Sequence, residues 1–293
     1  MTRIIQSLSD ISEQYDALFC DLWGCVHNGQ QAYPAAIAAL QAFRSKGGSV
    51  ILMTNAPRPG PAVSATFDRL GIPRDAWDAI VTSGDAAQAG MIMGAVGRKV
   101  WHLGPPKDEP FFTEIPDDLR ALGSVERVPL EEAEGIVCTG LFDEMSETPE
   151  EYRGTLLRAK YAGMKLLCAN PDIVVDLGED RIFCAGALAE LYTEMGGQSL
   201  YFGKPHPPIY DLARRRLTAM DKVIDDRRIL AVGDGIFTDV QGGVSEGIDT
   251  LFITGGLAAN ELGEDPEHPQ EALLLPWLQE RQLSPSAVIG RLR

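Results

Sequence analysis

Short apolar runs recur along this chain, each closed by Gly, Pro, Asn or Asp. Between them lie segments whose apolar residues repeat every three or four positions. The runs predict buried strands and the repeats predict amphipathic helices. The first run, Ala17-Leu-Phe-Cys20, reaches a carboxylate at Asp21 and turns on Gly24. Asn28-Gly29 predicts a tight turn, and hence a small hairpin or flap after Asp21. Pro34 to Lys46 predicts a helix. Ala36, Leu40 and Phe43 share one face, Pro34 suits the first turn, and Gly47-Gly48 stops it. Strands at Ser49–Met53 and Ala79–Val81 flank a helix at Pro59–Leu70. This β-α-β-α-β order predicts a parallel sheet with right-handed crossovers.

The alternation continues through the middle of the chain as a separate unit. Strands are expected at Lys99–Leu103, Gly135–Thr139 and Lys165–Ala169. Helices are expected from the capping box Thr148-Pro-Glu-Glu151 to Tyr161, and over Gly186–Met195. A second α/β domain is therefore placed at residues 86–197, between the two parts, 1–85 and 198–293, of a larger one. The last third resumes the first pattern, with a strand at Ser199–Phe202, a helix at Pro208–Met220 and a strand at Arg228–Val232. A short helix capped by Thr238 and a final strand at Thr250–Ile253 follow, then an amphipathic stretch at Leu273–Leu278.

Composition fits this picture. The chain has 293 residues, 45% of them hydrophobic, enough for roughly two domains with sizeable cores. A net charge of −16 argues against nucleic acid and anionic membrane surfaces as partners. It leaves phosphate substrates open, because a pocket can be positive on an acidic protein. No run of about 18 apolar residues predicts a membrane span, and Met1 to Ser12 does not read as a signal peptide. The five cysteines lack CxxC spacing and mostly sit in apolar runs, as expected of a reduced cytoplasmic protein. The sequence allows a homo-oligomer.

The chemistry gathers at strand ends. Asp21, Thr54-Asn55, Lys204, and Asp234 with Asp239 each follow an expected strand. A carboxylate nucleophile facing a phosphate dianion is repelled unless a divalent cation neutralises both. Asp21, Asp234 and Asp239 supply the hard oxygens that Mg²⁺ prefers. Thr54 and Asn55 can donate to phosphoryl oxygens, and Lys204 adds positive charge in the transition state. Other chemistries lack their marks. No dinucleotide fingerprint follows the first strand, no Walker A motif occurs, and the four histidines lack zinc spacing.

These residues stand in four motifs: Asp21-Leu-Trp-Gly, Thr54-Asn55, Gly203-Lys204-Pro205 and Val232-Gly233-Asp234-Gly-Ile-Phe-Thr-Asp239. In that order they resemble the haloacid dehalogenase-like (HAD) superfamily of phosphohydrolases. The inserted unit resembles the α/β cap of subclass IIA, and Asn170-Pro171-Asp172 is similar to its nucleotide and p-nitrophenyl phosphatase branch. The resemblance implies a doubly wound, Rossmann-like core and a cap that selects a small phosphorylated metabolite. It implies that Asp21 forms an aspartyl-phosphate, and that Asp21, Asp234, Asp239 and the Trp23 carbonyl hold Mg²⁺. It further implies that Thr54, Asn55 and Lys204 bind phosphate, with Asn170 and Asp172 near the substrate.

One position departs from the family. Trp23 occupies the place of a second Asp that protonates the leaving group, and an indole cannot cycle a proton near neutral pH. Two readings follow: a Mg²⁺-dependent phosphatase, with His27 as the nearest replacement acid, or a protein that binds a phosphorylated ligand without turnover.

Overall fold

The computed structural model describes residues 2–178, 180–263 and 265–293. Four strands, β1 (Arg3–Ile4), β2 (Ala17–Cys20), β3 (Ser49–Thr54) and β4 (Ala79–Thr82), open the chain. Seven follow in the middle: β5 (Lys99–Leu103), β6 (Glu126–Arg127), β7 (Gly135–Cys138), β8 (Lys165–Cys168), β9 (Val174–Leu177), β10 (Asp180–Phe183) and β11 (Gln198–Tyr201). The last three are β12 (Ile229–Gly233), β13 (Asp249–Ile253) and β14 (Ala287–Ile289).

The larger sheet is parallel throughout, in the order β1-β14-β13-β12-β2-β3-β4. Both faces are covered. Leu18, Cys20, Leu52 and Val232 pack with Leu40 and Phe43 of the helix Pro34–Ser45. Phe19, Ile51, Met53 and Ala231 pack with Ile209, Tyr210 and Leu217 of the helix Pro207–Ala219. Burial on both faces explains why these strands read as unbroken apolar runs. The smaller sheet, β11-β8-β7-β5-β6, is also parallel. Helices Arg153–Tyr161 and Ala185–Glu194 cover one of its faces, and helix Ser83–Ile92 the other. β9 and β10 form a separate antiparallel hairpin. Among the described residues, no helix is long and apolar enough to cross a membrane.

Several expectations need correction. The strand near residue 200 does not return to the larger sheet: β11 pairs with β8, so the boundary expected at 197/198 lies later. Helix Ser83–Ile92 spans the boundary expected at 85/86. Nearly every residue of it is buried, so it shows no polar face to betray a helical period. Its start was nonetheless legible, since Thr82 and Asp85 form a reciprocal capping box. The helix expected at 59–70 breaks into Gly60–Ser64 and Phe67–Leu70. Thr148 makes no capping bond, and its segment opens as a tighter 3₁₀ turn at Pro149–Tyr152. Thr238 lies inside the wide turn Ile236–Val240 rather than capping it. β13 is not last, because β14 pairs beside it.

Candidate active site

Register sets the site. Cys20 lies opposite Val232 on one side and Leu52 on the other, so the chain leaves β12, β2 and β3 at one edge. Asp21, Thr54 and Asp234 therefore emerge next to one another, at the carboxyl end of a parallel sheet where open α/β folds place their ligands. Asp21 is fixed by its N–H donating to the Val232 carbonyl at 2.8 Å. Gly24 turns the following loop at φ +72°, and a Cβ there would lie 2.0 Å from Asp234 Oδ2. The glycine of the first motif thus makes room for the carboxylate of the fourth.

Lys204 joins the two. Its Nζ donates to Asp21 Oδ1 at 2.5 Å and to Asp239 Oδ1 at 2.7 Å, with all three side chains buried. Asp239 Oδ2 accepts from the Gly235 N–H at 3.1 Å and the Thr238 hydroxyl at 3.3 Å. Asp239 is therefore committed to the lysine and its own turn. The buried ligand atoms gathered within 4.8 Å of one another belong instead to Asp21, Asp234 and Cys25. Cys25 was missed in the sequence, where it reads as core.

Asn55 orders the lysine. Its side-chain oxygen accepts the Lys204 N–H at 2.8 Å, and its Nδ2 donates to the Lys204 carbonyl at 3.1 Å and to Asp172 Oδ1 at 2.8 Å. Both amide protons are thus used within the protein, contrary to the expected phosphate contact. Asn170 likewise turns away from the role expected of it, its Oδ1 accepting the Asp172 N–H at 3.1 Å. Asp172 and Thr54 do face the cavity. Trp23 lines it as well, its indole packed so tightly over Gly29 that a Cβ there would sit 2.5 Å from the ring.

His27 does not join the site. It is buried behind the flap, with its ring edge-on to Trp23 and its Nδ1 accepting the Gly29 N–H at 2.9 Å. Burial pushes its pKa down to about 4, so it is neutral near pH 7. It braces the Asn28-Gly29 turn and lies outside the cavity lining.

The electrostatics are unbalanced. Burial raises the Asp21 carboxyl well above its ordinary range, with the Lys204 ammonium opposing. Burial, then the Asp239 charge, lifts Asp234 to about 7, and burial lifts Asp172 to about 6 against the pull of Lys204. Burial disfavours the Lys204 ammonium, but the charges of Asp21 and Asp239 outweigh it and raise its pKa. One ammonium thus faces several carboxylates. Asp21 and Asp234 present hard oxygens whose charge the one ammonium and the Leu257 N–H, 2.9 Å from Asp234 Oδ2, offset only in part, and such oxygens fit a divalent cation.

The cavity over these groups has a volume of about 290 Å³. The hairpin β9–β10, unforeseen in the sequence, roofs it with Val175, Asp176, Gly178 and Arg181. The Gly178 N–H donates to the Asn28 carbonyl at 3.2 Å, seating the hairpin on the flap. A wider cavity of about 710 Å³ adjoins it, lined by Ile173, Tyr201, His206, Phe237 and Trp277 as well as Asp172 and Asp234.

Known proteins resemble this chain in sequence and fold. Residues 18–115 match the haloacid dehalogenase-like hydrolase family and residues 201–280 a HAD-hydrolase-like family. A crystal structure of a haloacid dehalogenase-like hydrolase from Brucella suis is 40% identical, with a TM-score of 0.85 over 99% of this chain and 100% of that one. A D-glycerol 3-phosphate phosphatase from Mycobacterium tuberculosis is 26% identical over 85% of this chain and 66% of that protein. A 5′-nucleotidase from Bacillus subtilis is 25% identical over 90% of this chain and 98% of that one. The chain therefore belongs to the haloacid dehalogenase-like hydrolases, in their subclass IIA phosphatase branch.

Proposed function

We propose that this protein hydrolyses small phosphate monoesters, with Asp21 as nucleophile. The observation that carries the reading is the Lys204 ammonium held between Asp21 and Asp239, beside Asp234, at one edge of the sheet. Asp21 Oδ1 is oriented by Lys204, which leaves Oδ2 to attack phosphorus and form an aspartyl-phosphate as the P–O bond to the alcohol breaks. Lys204 then faces the negative charge developing on the phosphoryl oxygens, and the Thr54 hydroxyl donates to one of them. Water attack on the acyl phosphate regenerates Asp21 and releases phosphate.

Asp21 and Asp234 would hold Mg²⁺, with the Trp23 carbonyl and Asp239 as the further ligands the family pattern implies. When bound, the cation neutralises charge on both nucleophile and substrate. Asp239 serves first to hold Lys204. The phosphatases among the relatives, named for glycerol 3-phosphate and for nucleotides, support a small phosphorylated substrate.

The leaving alcohol meets no carboxyl at the position where the family carries its acid, since Trp23 holds that position and His27 is buried elsewhere. Acid catalysis typically contributes about 10²–10⁴-fold, so aryl phosphates should outpace alkyl phosphates by a factor of this order. The same observation favours a second reading, a phosphoryl-ligand binding protein without turnover. Phosphate release from p-nitrophenyl phosphate and glycerol 3-phosphate, with and without Mg²⁺, tests both. Metal-dependent release that Asp21→Asn abolishes supports the hydrolase. Tight phosphate-ester binding with no release by the wild type supports the binding protein.

A further inference from the structure

Three cations line the 290 Å³ cavity: Lys204, Arg181 and Arg291. Lys204 is engaged by Asp21 and Asp239. Arg181 is held by both oxygens of Asp176, at 2.7 and 3.0 Å. Arg291 differs. Among the described residues no carboxylate lies within ion-pair distance of its guanidinium, although the chain carries 42 acidic residues and several of them line this same cavity. Its guanidinium carbon stands 5.0 Å from the centre of the Tyr33 ring, a side chain that also lines the cavity.

The position is built rather than incidental. Arg291 follows β14 by two residues, so it leaves the larger sheet at the edge that carries Asp21 and Asp234. Its backbone is fixed on both sides. The Gly255 N–H donates to the Gly290 carbonyl at 2.7 Å, Leu292 is buried, and the Arg293 carbonyl accepts the Leu8 N–H at 2.7 Å. Arg293 itself pairs with Glu267 at 2.8 Å. A Cβ at Gly255 would lie 2.5 Å from the Pro266 carbonyl oxygen, 2.6 Å from that of Gly290 and 2.9 Å from Arg291 Nε, so the chain packs closely around the base of this arginine. A half-buried arginine with a fixed backbone, an aromatic beside it and, among the described residues, no carboxylate in ion-pair reach presents its fork to whatever enters.

We propose that Arg291 receives a second anionic group of the substrate, a carboxylate or a further phosphate carried by the alcohol part of the ester. The inference rests on the hydrolase reading above, with Lys204 serving the transferred phosphate and Arg291 the far end of the same small molecule. The cavity volume holds a substrate of about the size of a three-carbon phosphate. A charge-assisted bidentate contact makes a preference of about 10–100-fold over a neutral analogue.

The test compares kcat/KM for glycerol 3-phosphate, 3-phosphoglycerate and propane-1,3-diol bisphosphate. It uses wild type, Arg291→Ala and Arg291→Lys, each checked for folding by circular dichroism. The wild type should favour at least one of the two acidic substrates by about tenfold or more. Arg291→Ala should erase that preference chiefly through KM, and Arg291→Lys should keep part of it. Which acidic substrate gains tells carboxylate from phosphate. No preference in the wild type, or an equal loss on all three substrates in Arg291→Ala, would overturn the proposal, the latter placing Arg291 on the transferred phosphate. If the wild type releases no phosphate from any of them or from p-nitrophenyl phosphate, the hydrolase reading falls. Calorimetric titration with glycerol 3-phosphate and 3-phosphoglycerate in Mg²⁺ then decides the role of Arg291. Tighter binding of the acid that Arg291→Ala removes supports it, and equal affinities overturn it.

Discussion

Asp108 offers a stability test independent of the active site. It ends the turn Pro106–Asp108 after β5, is wholly buried, and neither carboxyl oxygen has a hydrogen-bond partner. The Arg58 guanidinium stands 3.9 Å away, outside hydrogen-bond reach. Burial pushes the carboxyl from 3.8 up to about 6, against the charge of Lys107. The folded protein therefore keeps a proton that the unfolded chain releases between about pH 4 and 6, and stability falls as pH rises through that window. Roughly two units of displacement at about 1.4 kcal/mol each amount to about 3 kcal/mol, of which about 2 kcal/mol falls between pH 4.5 and 8. Asp108→Asn keeps the volume and removes the titration. Urea unfolding of both proteins at each pH should show the variant gaining about 2 kcal/mol relative to wild type on going from pH 4.5 to 8. This double difference cancels the fixed cost of burying an amide and the titration of the other carboxylates. A difference that stays flat with pH would refute the argument.

Three further outcomes are expected. Lys204→Met leaves Asp21 and Asp239 buried without their cation, so in EDTA it should lose about 3–5 kcal/mol of stability in urea unfolding, together with all phosphate release. Gly256→Ala would place a Cβ 2.0 Å from Asp234 Oδ2, so Mg²⁺ affinity measured by calorimetry should fall at least about tenfold while the far-ultraviolet dichroism is retained. Trp23→Asp places a carboxyl where the proposed mechanism lacks its acid, and steady-state assays should show glycerol 3-phosphate turnover rising relative to p-nitrophenyl phosphate, by up to about 10²-fold.

The strands of the larger sheet were legible because burial on both faces demands apolar runs, and their polar ends marked Asp21, Thr54 and Asp234. Pairing partners were not. The sequence around β11 specifies a strand, but whether it joins β8 or the larger sheet depends on which helices cover each face. The helix at Ser83–Ile92 escaped for a related reason: surrounded by protein, it carries no polar stripe. Roles that depend on surroundings were hidden too. An imidazole two residues from a turn glycine and an imidazole in a cleft look alike in sequence, and only burial separates His27 from an acid. Asn55 was located correctly as a strand-end residue, yet its amide protons go to Lys204 and Asp172, each distant in the chain. Arg291 follows a strand of three residues, too short to announce itself by pattern.

β11 belongs to the smaller sheet, and Lys204 follows it by three residues. The ammonium that holds Asp21 is therefore delivered on the arm that carries the roof of the cavity, while Asp21 itself stands on the other sheet. Asn55, at the end of β3 in the larger sheet, grips the Lys204 N–H and carbonyl, so the lysine is fastened to the sheet of Asp21 although its chain arrives from the roof side. A chimera that imports a foreign roof inherits this linkage: its downstream splice must reproduce the path from Tyr201 to Lys204 and the clasp of Asn55 upon it, or it will admit new ligands to an Asp21 that has lost its cation.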